Sequence, residues 1–170
     1  EAHAELIALA YNILKDIGLK NINLNIGNLN ILNTMFNQLG ITKDEQIKLI
    51  PLIDKSQYED ASEQLQELGI NPEKTEKFLE TLQTTDVNKI KEYLKNDETS
   101  KQEINNLEKI TNLLGKTFNI KNHNIKLGIV RGLDYYKGIV FEIEAPSLGA
   151  EKQLCGGGAY ELITVFGGKE

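Results

Sequence analysis

The feature that most limits the fold is a break in periodicity. Strand-like alternation occurs near both ends of the chain, while residues 41–118 between them show helical spacing and no convincing strand. At 22–26, Ile22, Leu24 and Ile26 alternate with Asn21, Asn23 and Asn25. Successive strand residues face opposite sides, so this pattern predicts a strand with one buried face. The pattern returns at 126–130, again at 139–144 with Ile139, Phe141 and Ile143 opposite Val140, Glu142 and Glu144, and as a short strand at 153–155. Short turns between these segments imply antiparallel pairing. The expected class is α+β: a sheet layer with flanking helices from 1–40 and 119–170, interrupted by an all-helical module at 41–118.

The helices follow from apolar spacing and end signals. In 4–17 the stripe Leu6, Leu9 or Ala10, Ile13, Leu14 and Ile17 predicts an amphipathic helix stopped by Gly18. Leu32, Met35, Phe36 and Leu39 form a second stripe ended by Gly40. Thr42 and Glu45 have capping-box spacing, and Pro51 predicts a bend or restart. Tyr58, Ala61, Leu65 and Leu68 make a further stripe before Gly69. Asn71 with Pro72, and then Asp86, mark two more helix starts, and Ile104, Leu107, Ile110, Leu113 and Leu114 a longer helix. Residues 146–149 read as a turn, and 160–166 as a closing helix.

Charge narrows the function classes. The net charge is −6, and residues 41–118 hold 11 Lys against 16 Asp and Glu, so most of the negative charge lies in the helical module. A generally basic nucleic-acid binder is excluded, although local patches are not. The lone Cys155 cannot form an internal disulfide, and His3 and His123 have no metal-ligand spacing, so no structural metal is expected. No apolar run approaches a membrane span and no signal-like start is present, which points to the cytoplasm. The chain opens at Glu1 directly into a helical pattern and reads as a piece of something longer.

The chemistry concentrates at Arg131-Gly132-Leu133-Asp134-Tyr135-Tyr136, which holds the only arginine, and at Cys155-Gly156-Gly157-Gly158-Ala159-Tyr160. A guanidinium presents paired donors to carboxylate or phosphate, and tyrosines offer ring surface and a phenol. Adjacent tyrosines in an extended chain point opposite ways, so at most one of Tyr135 and Tyr136 lines a given pocket. The structural alternative is a hairpin whose arginine pairs with Asp134 and whose tyrosines are ordinary sheet aromatics. Gly156, Gly157 and Gly158 fit a groove floor without side chains; a phosphate loop is the rival, but no Gly-Lys-Ser/Thr ending follows. Glu142 and Glu144 could hold a metal or an amine, or form a solvated sheet face.

RGLDYYKGIVFE (131–142) followed by CGGGAY (155–160) resembles the two histidine-specific motifs of the histidyl-tRNA synthetase family. That resemblance implies a class II aminoacyl-tRNA synthetase catalytic domain with an antiparallel sheet and a helical insertion. It implies activation of histidine with ATP and Mg2+, then transfer to tRNA(His). Arg131 would contact the α-phosphate and the histidine carboxylate, Tyr136 and Tyr160 would border the imidazole, Gly156 to Gly158 would form the floor, and Tyr135 would belong to the same motif. Glu1-Ala2-His3-Ala4-Glu5 is similar to the start of the helix after class II motif 2. Residues 41–118 match the insertion, a candidate contact for the tRNA acceptor arm. Where many members carry Arg before Tyr-Asp, this chain has Ala159, so that arginine's role does not carry over. Motifs 1, 2 and 3 and the anticodon-binding domain are absent. The 170 residues alone are therefore expected to be inactive and to hold no tightly bound cofactor, and the full-length enzyme to be a homodimer. The alternatives are a synthetase-like regulatory subunit of ATP phosphoribosyltransferase and a tRNA- or protein-binding module.

Overall fold

The computed structural model describes residues 1–94, 97–130, 136–160, 163 and 166–168. Helix α1 (Ala2–Asp16) leads into strand β1 (Asn23–Asn28) and helix α2 (Leu29–Leu39). Five helices follow among the described residues: α3 (Lys43–Asp54), α4 (Tyr58–Glu67), α5 (Pro72–Gln83), α6 (Val87–Tyr93) and α7 (Glu98–Lys116). Strands β2 (His123–Ile125), β3 (Tyr136–Glu144) and β4 (Gln153–Tyr160) complete the sheet. The α+β class holds.

The caps lie where the residue types placed them. Thr42 Oγ1 accepts from the Glu45 backbone N–H at 3.4 Å, while the Glu45 carboxylate accepts from the Thr42 backbone N–H and hydroxyl, each at 2.7 Å. The hydroxyl and backbone donors of Thr42 hold the Glu45 carboxyl below its ordinary value. Asn71 and Asp86 accept from Glu73 N and Asn88 N, and Gly40 and Gly69 close their helices in the left-handed region.

Several expectations change. The sheet has the order β2-β1-β3-β4 and is mixed rather than wholly antiparallel, because β1 and β2 run parallel. Parallel neighbours need a long crossover, and the whole run from α2 to α7 supplies it. Residues 126–130 are not a strand: 127–128 form a turn and the others no regular element, Leu127, Ile129 and Val130 are all buried, and a Cβ on Gly128 would touch Tyr58 and Ile53. A continuous apolar run packed under helices looks like a strand to a periodicity argument. Pro51 does not restart the pattern; it lies within α3, which runs on to Asp54. The turn at 146–149 belongs to a short 3-10 helix (Pro146–Glu151). Tyr160 closes β4 instead of opening a helix; of 161–166 only Ile163 and Phe166 are among the described residues, both in turns.

Most of the predicted stripe of α1 faces outward, although Ala10 and Leu14 pack against the core. Leu6, Leu9, Ile13 and Ile17 are exposed, whereas Ala4, Ile7 and Ala8 are buried. Ala4 and Ala8 lie one turn apart and allow close approach of the helix, which outweighs the larger apolar area of the leucine side.

Leu24, Ile26, Phe36, Phe78, Leu107 and Ile143 belong to one hydrophobic cluster that includes buried residues of both the sheet layer and α3–α7. Among the described residues no helix is long and apolar enough to cross a membrane.

Candidate functional site

Strands β3 and β4 carry the described part of the site. Tyr136 opens β3, Tyr160 closes β4, and the antiparallel register pairs them. Their rings meet edge to face, with centroids 6.1 Å apart and planes at 83°, an arrangement favoured by the ring quadrupoles. Tyr136 is half-buried and Tyr160 is 60% exposed, so the pair is open on the Tyr160 side.

The same register opposes Val140 to Gly158, Phe141 to Gly157 and Glu142 to Gly156. Directly opposed residues share a sheet face. Tyr136, Tyr160, Val140, Gly158, Glu142 and Gly156 therefore lie on one face, and Phe141 and Gly157 on the other. Between Lys137 and Val140 the register shifts, leaving Gly138 and Ile139 as a bulge in β3. Gly138 has φ +64°, a left-handed conformation that glycine adopts without a side-chain clash.

The glycine strand is set by close approach. A Cβ on Gly158 would lie 2.8 Å from Val140 Cγ1, 2.9 Å from the Ile139 carbonyl oxygen and 2.9 Å from Tyr136 Cδ1. On Gly157 it would lie 3.1 Å from the Phe141 ring. The Tyr136 ring thus packs directly against backbone. Because Gly156 to Gly158 are strand residues and not a loop entering a helix, the phosphate-loop reading is set aside. Arg131 and Tyr135 lie outside the described residues, as does Asp134, so the structure brings together Tyr136, Gly156, Gly157, Gly158 and Tyr160.

The two glutamates separate. Glu144 is buried, with the Lys152 ammonium at 3.6 Å and that of Lys126 at 4.0 Å, and is not part of a solvated face. Glu142 is half-buried beside Asn25 of β1. Behind Phe141 and Gly158 a cavity of about 140 Å³ is lined by Ile139 and α1 residues including His3, Leu6 and Ile7.

Two groupings were missed by sequence reasoning. Asn28 and Asn30 at the start of α2 both donate to Glu103 on α7, a contact across more than 70 residues with no periodicity signal. Lys74, Lys77 and Lys89, together with Glu80 and Glu92, line a groove of about 810 Å³ between α5, α6 and the end of α2, with Tyr93 in its wall. Burial pushes the Tyr93 phenol up to about 12. The groove is of mixed charge, with three lysines beside two carboxylates.

Likeness to solved structures places the fold first. A histidyl-tRNA synthetase from Nostoc superposes with a TM-score of 0.84 at 24% identity, covering 99% of this chain and 42% of that one. A Bacillus halodurans structure described as an ATP phosphoribosyltransferase regulatory subunit/histidyl-tRNA synthetase gives 0.84 at 21% identity, covering 96% and 43%. The architecture is the α+β fold of these structures. Sequence then gives the particular family: the histidyl-tRNA synthetase model matches residues 1–170. The histidine–tRNA ligase of Archaeoglobus fulgidus is 39% identical over 98% of this chain, which is 39% of that protein. The chain belongs to the histidyl-tRNA synthetase family, and it spans about two fifths of the length of the curated relatives it matches.

Proposed function

We propose that this chain carries the histidine-recognising part of a histidine–tRNA ligase, an enzyme that forms histidyl-adenylate from histidine and ATP and transfers histidine to tRNA(His). The observation that supports it is the pairing of Tyr136 with Tyr160 over Gly158. It makes an aromatic corner of two rings at 83°, open on the Tyr160 side. In this reading Tyr136 and Tyr160 border the imidazole, Gly156 to Gly158 form the floor, and Tyr135 belongs to the same sequence motif. Arg131 holds the histidine carboxylate and the α-phosphate, stabilising charge that grows in the transition state. In the whole enzyme Mg2+ would accompany the nucleotide; among the described residues no group of three or more His, Cys, Asp or Glu converges. The whole enzyme is proposed to be cytoplasmic and homodimeric, with 41–118 as its insertion domain.

Two measurements test this. Histidine-dependent pyrophosphate exchange by the 170-residue chain is expected to stay at background, and exchange above background would refute the need for further catalytic parts. In the whole synthetase carrying this segment, Arg131→Ala is expected to lower the activation rate by about 100-fold or more while histidine affinity changes far less. Equal losses in both would remove the transition-state role.

Within the mixed-charge groove, the lysines are the groups proposed to contact the tRNA acceptor arm. Lys77 is engaged by Glu73 at 2.8 Å, which leaves Lys74 and Lys89 as the more available cations. The double change Lys74→Glu/Lys89→Glu is expected to weaken acceptor-stem RNA binding and to reduce the salt slope by roughly two. An unchanged slope would take the groove out of the RNA path.

The regulatory-subunit reading is supported by the fold shared with the Bacillus halodurans protein and with an ATP phosphoribosyl transferase (HisG:HisZ) complex from Thermotoga maritima. The higher identity to a histidine–tRNA ligase, 39% against 21%, favours the enzyme. Coding sequence for motif 3 and an anticodon-binding domain beside this segment would support the ligase, and its absence the regulator.

A further inference from the structure

We infer that Glu103 is a positioning residue for the Tyr136 edge of the proposed pocket, acting from α7 through Asn28 and Asn30 on the bulge of β3. The inference rests on the pocket reading only for what the edge is used for.

The Asn28 side chain is committed at both ends. Its carbonyl accepts from Asn30 N at 2.9 Å and Ile31 N at 3.4 Å, capping α2, and its amide donates to Glu103 Oε2 at 2.8 Å. Asn28 is 1% exposed, so water cannot stand in for that acceptor without an opening of the structure. Glu103 Oε1 accepts from Asn30 Nδ2 at 2.8 Å. One carboxylate thus bridges two amides, each bond strengthened by its charge.

Both asparagines reach the bulge. The Asn28 backbone is the β1 partner of Ile139, one of the two bulge residues. Asn30 Nδ2 lies 3.7 Å from where a Cβ on Gly138, the other bulge residue, would stand. Tyr136 is two residues upstream of that glycine, and its ring packs against Gly158. A bulge has fewer ladder bonds to fix it than a regular strand. Glu103 supplies the restraint from outside the sheet, and so couples a residue of the helical module to the ring that forms the pocket wall.

Glu103→Leu separates this from a general structural tie. The variant keeps much of the side-chain size but removes both acceptor oxygens, so both bonds are lost and the buried Asn28 amide is left without its acceptor. In the 170-residue protein, amide exchange at residues 138–140 is expected to quicken by about tenfold or more. The Tyr136 ring resonances should shift, while exchange at Leu65 and Phe78 stays unchanged. Asn30→Ala, at the half-buried first turn of α2, should give the same local pattern. The double variant should add little to the larger single effect. Unchanged exchange at 138–140 and unchanged Tyr136 resonances in both single variants would overturn the inference, as would additive effects in the pair. Neither readout uses histidine. A whole synthetase without histidine-dependent exchange would therefore sink the functional reading and leave this one decided by the exchange data.

Discussion

Gly158→Ala is expected to destabilise the protein by about 3 kcal/mol, the upper end for overpacking a closed site, and to displace the Tyr136 ring. The cost is spatial. Of the three atoms that the new methyl would meet at 2.8–2.9 Å, one is the Ile139 carbonyl oxygen, which belongs to the backbone and cannot turn aside as a side chain would. Relief requires β4 to move away from β3 or the bulge to shift, and either motion separates Tyr136 from Tyr160. Gly157→Ala is the control. Its methyl would meet only the Phe141 ring edge, at 3.1 Å, so a few tenths of an ångström of ring movement should hold the loss to about 1 kcal/mol. Denaturant midpoints of the two variants and the tyrosine ring signals measure the difference. A Gly158→Ala protein as stable as the parent, with the Tyr136 signals unmoved, would show that the glycine strand is not held by close approach.

That contrast also shows what the sequence could and could not reveal of the site. Three consecutive glycines announced a place where backbone meets something closely. Whether the something was a phosphate, a ligand or another strand depended on the pairing of β3 with β4, which local spacing does not specify. Tyr136 and Tyr160 were legible as candidates by resemblance, but their edge-to-face contact is a product of register across the hairpin. The fold divides similarly. Caps at Thr42, Asn71 and Asp86 were readable because each is settled within about one helical turn. The direction of α1 was not, because Ala4 and Ala8 win the inner face through what they allow to approach, a property of the neighbours. The parallel pair β1–β2 was hidden for a related reason: its partners are separated by the whole helical run, and only the assembled core brings them together.

Phe78→Ala should have the second large effect, a loss of about 3–5 kcal/mol. Phe78 on α5 is fully buried, and its ring lies 5.4 Å from that of Phe36 on α2, tilted by 40°. Truncation removes that contact and leaves a cavity in the cluster that joins the helical module to the sheet layer. Against a usual total of roughly 5–15 kcal/mol, such a loss removes a large share of the stability. For a chain of this length it corresponds to a fall in Tm of roughly 10 °C. The informative part is how the protein unfolds. An insertion that packs only on itself would melt separately, leaving amides of β1 and β3 protected after the α5 helix is lost. Because Phe36 and Phe78 share one cluster, the expectation is a single transition in which strand and helix signals disappear together. Phe36→Ala should then cost a similar amount, with the double variant less than additive, since either change already empties the same contact. Two separated transitions would divide residues 41–118 from the sheet energetically as well as in sequence. Glu103 would then be a hook between two bodies, not a brace inside one.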